Sequence, residues 1–168
     1  TFYPYVEVAD KIGCIGTPET FQAFDAWQNV VSYTWSNGQT GPTAIFDEGG
    51  YHLVTAYNAC GNHSWPFLFD TRPCSIEMPN VFTPNGDNVN AIFGPLLNQN
   101  ESFLVFTCQI LNRWGNIMYE FNDMSKGWNG KSQGGEDAQD GVYFYKIFAK
   151  DVSGKEIYKQ GFFQLVRD

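Results

Sequence analysis

Apolar and polar side chains alternate in short runs along this chain, and Gly, Pro, Asn and Thr interrupt the runs roughly every eight to twelve residues. That is the rhythm of short antiparallel strands. The clearest case is Val31-Ser32-Tyr33-Thr34-Trp35-Ser36, which predicts one face of Val31, Tyr33 and Trp35 and another of hydroxyls. Asn37-Gly38 then turns the chain. Further strands are predicted from Val6 and Val8, over Thr20 to Phe24, His52 to Ala59 and Trp65 to Asp70. In the second half Ile76 to Phe82 leads into a turn at Pro84-Asn85-Gly86-Asp87. Phe103 to Asn112 is apolar on both faces, with Leu104, Phe106 and Ile110 against Phe103, Val105 and Leu111, as a central strand of a two-layer stack would be. Asn116 to Phe121 follows the Gly115 break, Lys126 to Gly130 is a turn, and Ser132 to Asp140 is a polar, acid-rich loop. Val142 to Ala149 and Glu156 to Val166 predict a hairpin around Asp151-Val152-Ser153-Gly154, with Gly161 a candidate bulge. No stretch carries a helical period. The expectation is an all-β chain of two antiparallel β-sandwich domains in tandem, residues 1–72 and 73–168, with Thr71-Arg72-Pro73-Cys74 as a short, stiff join.

A length of 168 residues suits two small domains. The formal charge of -8 and the lack of any basic stripe argue against a surface that gathers nucleic-acid phosphates. Such an acidic balance suits the cell exterior. No apolar run is long enough to span a bilayer, so direct membrane insertion is not expected. The chain opens Thr1-Phe2-Tyr3, without a charged leader before an apolar core, and reads as a piece of a longer protein or a processed product.

Cys14, Cys60, Cys74 and Cys108 lack C-x-x-C spacing, which disfavours zinc and thioredoxin-type chemistry and favours disulfides in an oxidising compartment. Of the three connectivities possible, one bridge per domain, Cys14–Cys60 and Cys74–Cys108, is the simplest; four buried free thiols are the alternative. Catalysis needs convergent titratable groups, and the sequence offers two isolated histidines, His52 in an alternating strand and His63 in a turn. No nucleophile elbow, zinc-protease motif or phosphate cradle is present, so no enzyme and no cofactor is expected. Calcium is the low-ranking alternative, at Asn85, Asp87 and Asn90 or at Glu136, Asp137 and Asp140. Neither set follows the roughly twelve-residue calcium loop with its closing glutamate. A solvated turn, closed by Asp87 and the Asn85 and Asn90 amides, is the simpler reading. Trp114 and Trp128 each stand near glycine and offer either sugar-stacking platforms or caps on the core. Arg113 is placed either to lie over a tryptophan face or to bond a turn carbonyl.

Trp35-Ser36-Asn37-Gly38, Gly50-Tyr51 and Asn58-Ala59-Cys60-Gly61 resemble the PKD-like and immunoglobulin-like modules. The resemblance implies an Ig-like sandwich with Trp35 as core tryptophan and Tyr51, in Asp47-Glu48-Gly49-Gly50-Tyr51, as a corner tyrosine whose hydroxyl pins a loop. Cys60 stands well past Tyr51, so the antibody-type disulfide position is not reproduced.

The second half carries Asn80-Val81-Phe82-Thr83-Pro84-Asn85-Gly86-Asp87-Asn88-Val89-Asn90, then Asn112-Arg113-Trp114-Gly115, then Gly141-Val142-Tyr143-Phe144-Tyr145. In order and spacing these resemble the gliding-motility-associated C-terminal domain (type B) of the Bacteroidota type IX secretion pathway, from about Met78 to Asp168. The family's turn reads Asn-Gly-Asp-Gly-x-Asn-Asp; Asn88 replaces its second glycine and Ala91 its last aspartate. The resemblance implies a non-catalytic export signal on an Ig-like sandwich, read by the type IX translocon and by an outer-membrane partner of the SprF type. It further implies transit through the periplasm, then a cell-surface or secreted location, for a large cargo such as a gliding adhesin. The first domain would be a spacer. The residues expected to be read are Pro84, Asn85, Gly86 and Asp87; Asn112, Arg113, Trp114 and Gly115; and the terminal strand Gly161 to Asp168, with Gly161, Phe162, Phe163 and Arg167. The competing reading is a carbohydrate-binding or adhesive sandwich at the cell surface.

Overall fold

The computed structural model describes residues 2–167; Thr1 and Asp168, the last residue of the expected terminal signal, lie outside them. Among the described residues the chain is all-β, with a single 3-10 turn at Asn100–Ser102. It divides into two compact units, Thr1–Pro73 and Cys74–Asp168.

The first unit holds β1 (Lys11–Cys14), β2 (Glu19–Gln22), β3 (Ser32–Trp35), β4 (Thr43–Phe46), β5 (Gly50–Asn58) and β6 (Gly61–Arg72). A four-stranded sheet in the order β1-β6-β5-β3 faces the pair β2-β4. Alternation sets the inner face: Phe21, Ala44, Phe46, Val54, Phe67 and Phe69 are buried with Val6 and Val8. Trp35 is the expected core tryptophan, buried against Phe46 and Phe67 with Nε1 donating to the Gly41 carbonyl at 2.8 Å. Several expectations need correction. Val31 is 80% exposed and lies before β3, so only Tyr33 and Trp35 turn inward. Tyr51 is 81% exposed and pins no loop, because β5 places Val54 and Ala56 inside and leaves its first residues at the surface. His63 lies within β6 rather than in a turn, and the short β1 and β4 were not foreseen.

The second unit is a five-stranded sheet of β7 (Val81–Phe82), β8 (Phe103–Leu111), β9 (Ile117–Phe121), β10 (Gly141–Asp151) and β11 (Glu156–Leu165), in the order β7-β11-β10-β8-β9. Its inner face presents Phe106, Cys108, Ile110, Tyr143, Tyr145, Ile147, Ala149, Phe163 and Leu165. The covering layer is largely irregular. Phe93, Met124, Trp128 and Ala138 supply it, held by an antiparallel bridge in which Phe93 and Trp128 exchange two backbone hydrogen bonds of 2.8 Å. The Phe93 and Phe163 rings stack at 3.6 Å, which fixes that layer on the sheet.

Here too the structure departs from the sequence reading. Only Val81 and Phe82 of the expected Ile76 to Phe82 strand pair, and they run parallel to β11. Strand β8 is covered by the core layer on one face only, so outward Val105 is 41% exposed. Leu104, of the same parity as buried Phe106 and Ile110, is turned out at 64% because the register against β10 skips it and brings Phe103 inside. Gly161 forms no bulge; it pairs in register with Tyr145, whose ring lies where a Cβ would project, 2.6 Å from the hydroxyl oxygen. The register shifts instead at Lys150/Asp151 and at Ile110/Leu111.

Neither expected disulfide forms. Cys60 and Cys108 are free thiols, and the bridge joins Cys14 to Cys74. The cause is the parallel pairing of β1 with β6, which sets Cys14 opposite Arg72, two residues before Cys74 in the chain. Cys108 points into the core of its own sheet, where burial pushes its thiol up to about 12.

Candidate recognition surface of the second unit

The first expected motif is a self-closed turn after β7. Thr83 N–H donates to the Asn90 carbonyl at 2.8 Å, and Asn85 Oδ1 and Asp87 Oδ1 accept from the N–H groups of Asp87 and Val89 at 3.2 and 2.8 Å. Gly86, Asn88 and Asn90 have positive φ (88°, 63° and 49°). Asparagine is the non-glycine residue best suited to that region, so Asn88 takes the family's second-glycine position without breaking the turn. Asn90 contributes its backbone carbonyl rather than the expected side-chain amide. The turn explains Asn85 and Asp87 without a cation, since each spends a side-chain oxygen on a backbone N–H.

The second motif connects β8 to β9. Asn112 Oδ1 accepts from the N–H groups of both Trp114 and Asn116 at 3.0 Å, and Gly115, at φ 81°, closes the turn onto the Asn112 carbonyl. Asn112 is therefore the organiser. The turn lifts Trp114 into solvent, 79% exposed, with the Arg113 guanidinium 5.9 Å from its ring centroid, one of the two placements expected of that arginine. Trp114 thus caps no core. Trp128 is wholly buried, donating Nε1–H to the Lys131 carbonyl at 2.8 Å, and no sugar can stack on it.

The terminal strand divides by alternation. Phe163 is fully buried, whereas Phe162 is 66% exposed on the outer face. Arg167 was expected to be read by a partner, yet its guanidinium is spent internally. Nη2 donates to the Gly130 and Ala138 carbonyls at 2.8 and 3.0 Å, and Nη1 to the Pro84 carbonyl at 3.3 Å. The carboxylates of Asp137 and Asp140 each lie 3.8 Å away. One fork of donors thereby gathers three loops. The acidic loop is folded by Ser132 N–H to Glu136 O and by the Lys131–Asp137 ion pair at 3.9 Å.

Sequence reasoning missed a groove of about 490 Å³ on the outer face, lined in part by Leu111, Arg113, Phe144, Lys146, Gln160 and Phe162. The register puts Phe144 opposite both Leu111 and Phe162. The signal was available: Phe144 and Phe162 are aromatic residues at outward positions of strands whose inward positions are already filled. Both histidines have local roles. His52 Nε2 lies 2.9 Å from the Glu48 carbonyl, and His63 Nδ1 accepts from Val6 N–H at 3.2 Å.

Among solved structures the chain is similar to dimeric latent PorU from Porphyromonas gingivalis, at 13% identity and a TM-score of 0.37, over 98% of this chain and 20% of that one. It is also similar to extracellular domains 3-5 of Drosophila OTK, at 13% identity and a TM-score of 0.42, over 98% and 62% of the two chains. A third is the I-band fragment I67-I69 from titin, at 9% identity and a TM-score of 0.41, over 98% and 66%. The chain therefore spans a fifth of the PorU chain and under two thirds of the OTK chain. No curated protein matches. The family model of the CHU_C type IX secretion signal domain matches residues 76–165, more than half of the chain and nearly all of the second unit, including each of the three sequence motifs. The chain belongs to the CHU_C type IX secretion signal domain family.

Proposed function

We propose that the second unit is a non-catalytic address, read on a large surface cargo such as a gliding adhesin while that cargo crosses from periplasm to exterior. The cargo is exported through the type IX outer-membrane translocon. An outer-membrane partner of the SprF type does the reading, and the Ig-like first unit, residues 1–72, is a spacer. The observation that carries the proposal is the family match over residues 76–165, which by itself supports export to the cell surface or secretion by type IX machinery. The geometry adds a physical reason for a partner to bind tightly: the Asn112 to Gly115 turn is held rigid by its own hydrogen bonds while exposing Arg113 and Trp114. Little conformational entropy is then lost on docking.

The experiment fuses residues 74–168 to a folded periplasmic reporter in a strain with a working type IX pathway. The reporter is expected in the medium or at the cell surface. It should stay inside when Gly161 to Asp168 is deleted and when the translocon is disabled. Export that survives both changes would refute the proposal. Capture of the SprF-type protein from outer membranes by the fusion, lost with W114A, is expected as well.

A further inference from the structure

The outer-face groove is chemically unlike the rest of this chain. Its floor includes Leu111, which is only 8% exposed although it lies outside the unit's core cluster. Side chains of the outer face therefore bury it. Phe144 and Phe162 continue that apolar floor and remain 41% and 66% exposed. Two cations line the groove, Arg113 from the β8–β9 turn and Lys146 from β10, and no acidic residue does. Neither cation has an ion-pair partner among the described residues. Glu120, across β8 on the same face, is held by Gln109 Nε2 at 2.7 Å. In a chain of formal charge -8, two unpaired cations beside an exposed apolar floor are a local inversion of sign.

We propose that this groove is the docking site for the protein partner, and that its occupant is an extended segment of stated chemistry. One leucine- or phenylalanine-type side chain enters over Leu111, Phe144 and Phe162, and a neighbouring carboxylate meets Arg113 or Lys146. The inference rests on the export reading above and assigns the chemistry of its recognition step. Complementarity of charge gives the sign and speeds encounter. The apolar floor gives the affinity. An anionic lipid surface would be repelled by the net negative charge of the chain, so a protein segment fits better than a membrane.

The test titrates the isotope-labelled 168-residue chain with the peptide acetyl-Glu-Leu-Asp-Phe-Glu-amide, and with the counterpart carrying lysine at each acidic position. Amide shifts are expected at residues 111–115, 144–146 and 160–162 with the acidic peptide only, and they should weaken with added salt. The double variant R113E/K146E should bind roughly tenfold more weakly or worse. F162S, at an exposed position, should also weaken binding and replaces the double variant if that one does not fold by circular dichroism. Absence of binding, equal binding of the basic peptide, shifts elsewhere, or preferential binding to phosphatidylglycerol vesicles would each overturn the proposal. The export assay separates the two readings. If deletion of residues 76–165 blocks export while R113E/K146E and F162S are exported like wild type, the groove proposal falls and the address stands; if the deletion is harmless, the address falls.

Discussion

Replacing Arg167 by methionine keeps the aliphatic stem and removes the fork that ties Pro84, Gly130 and Ala138 together. Three charge-assisted hydrogen bonds are lost. A hydrogen bond from a charged donor contributes about 1.5–3 kcal/mol, but with the side chain 21% exposed the freed carbonyls recover part of that by binding water. The two ion pairs, to carboxylates 65% and 48% exposed, add at most about 1 kcal/mol. The expected loss for R167M is therefore about 3 kcal/mol. For R167K it is about 2 kcal/mol, because an ammonium keeps the charge but not the planar fork. With a urea m-value of about 2 kcal/mol/M, the R167M midpoint falls by about 1.5 M. The assay follows unfolding of the second unit through near-ultraviolet circular dichroism of buried Trp128, with hydrogen exchange at Ala138 N–H, bonded to Gly130 O, as the local readout. A midpoint within about 0.3 M of wild type, with that amide still protected, would refute the clamp.

Neighbouring phenylalanines give a paired contrast. F163A should cost about 3–5 kcal/mol by opening a cavity against Phe93, whereas F162A should stay within about 0.5 kcal/mol in stability measurements, as an exposed site does. Reducing the Cys14–Cys74 bridge should destabilise the first unit by about 4 kcal/mol in chemical denaturation, from the loop of about sixty residues that it closes. In the native chain iodoacetamide should label Cys60 and spare Cys108, which is fully buried with its thiol pushed up to about 12. Hydrogen bonds from Ser125 and Asn100 lower Asp123 to about 2 from its ordinary 3.8. Stabilisation by this group is therefore complete above 3.8 and is lost as pH falls through about 2, and a carboxyl NMR titration should show that low midpoint.

Short alternating runs and Asn-Gly turns specified the all-β class, because a period of two residues and positive-φ turn residues are local properties. The motif turns were legible for the same reason: Asn85, Asp87 and Asn112 act on backbone groups within four residues of themselves. Pairings between distant segments were not legible. The parallel contact of β1 with β6 moved the disulfide to Cys14 and Cys74, and no local pattern encodes which strands become neighbours. Nor does any local pattern tell that the register of β8 against β10 would skip Leu104, turning it into solvent and Phe103 into the core. Arg167 shows the limit most clearly. As sequence it is one cation at the end of a strand; its role exists only once Pro84, Gly130 and Ala138, far apart in the chain, turn their carbonyls toward one point. The sequence by itself determined the all-β class, the motif turns and the family; the tertiary structure decided which side chains face a partner and which hold the unit together, because burial depends on what packs across from a residue.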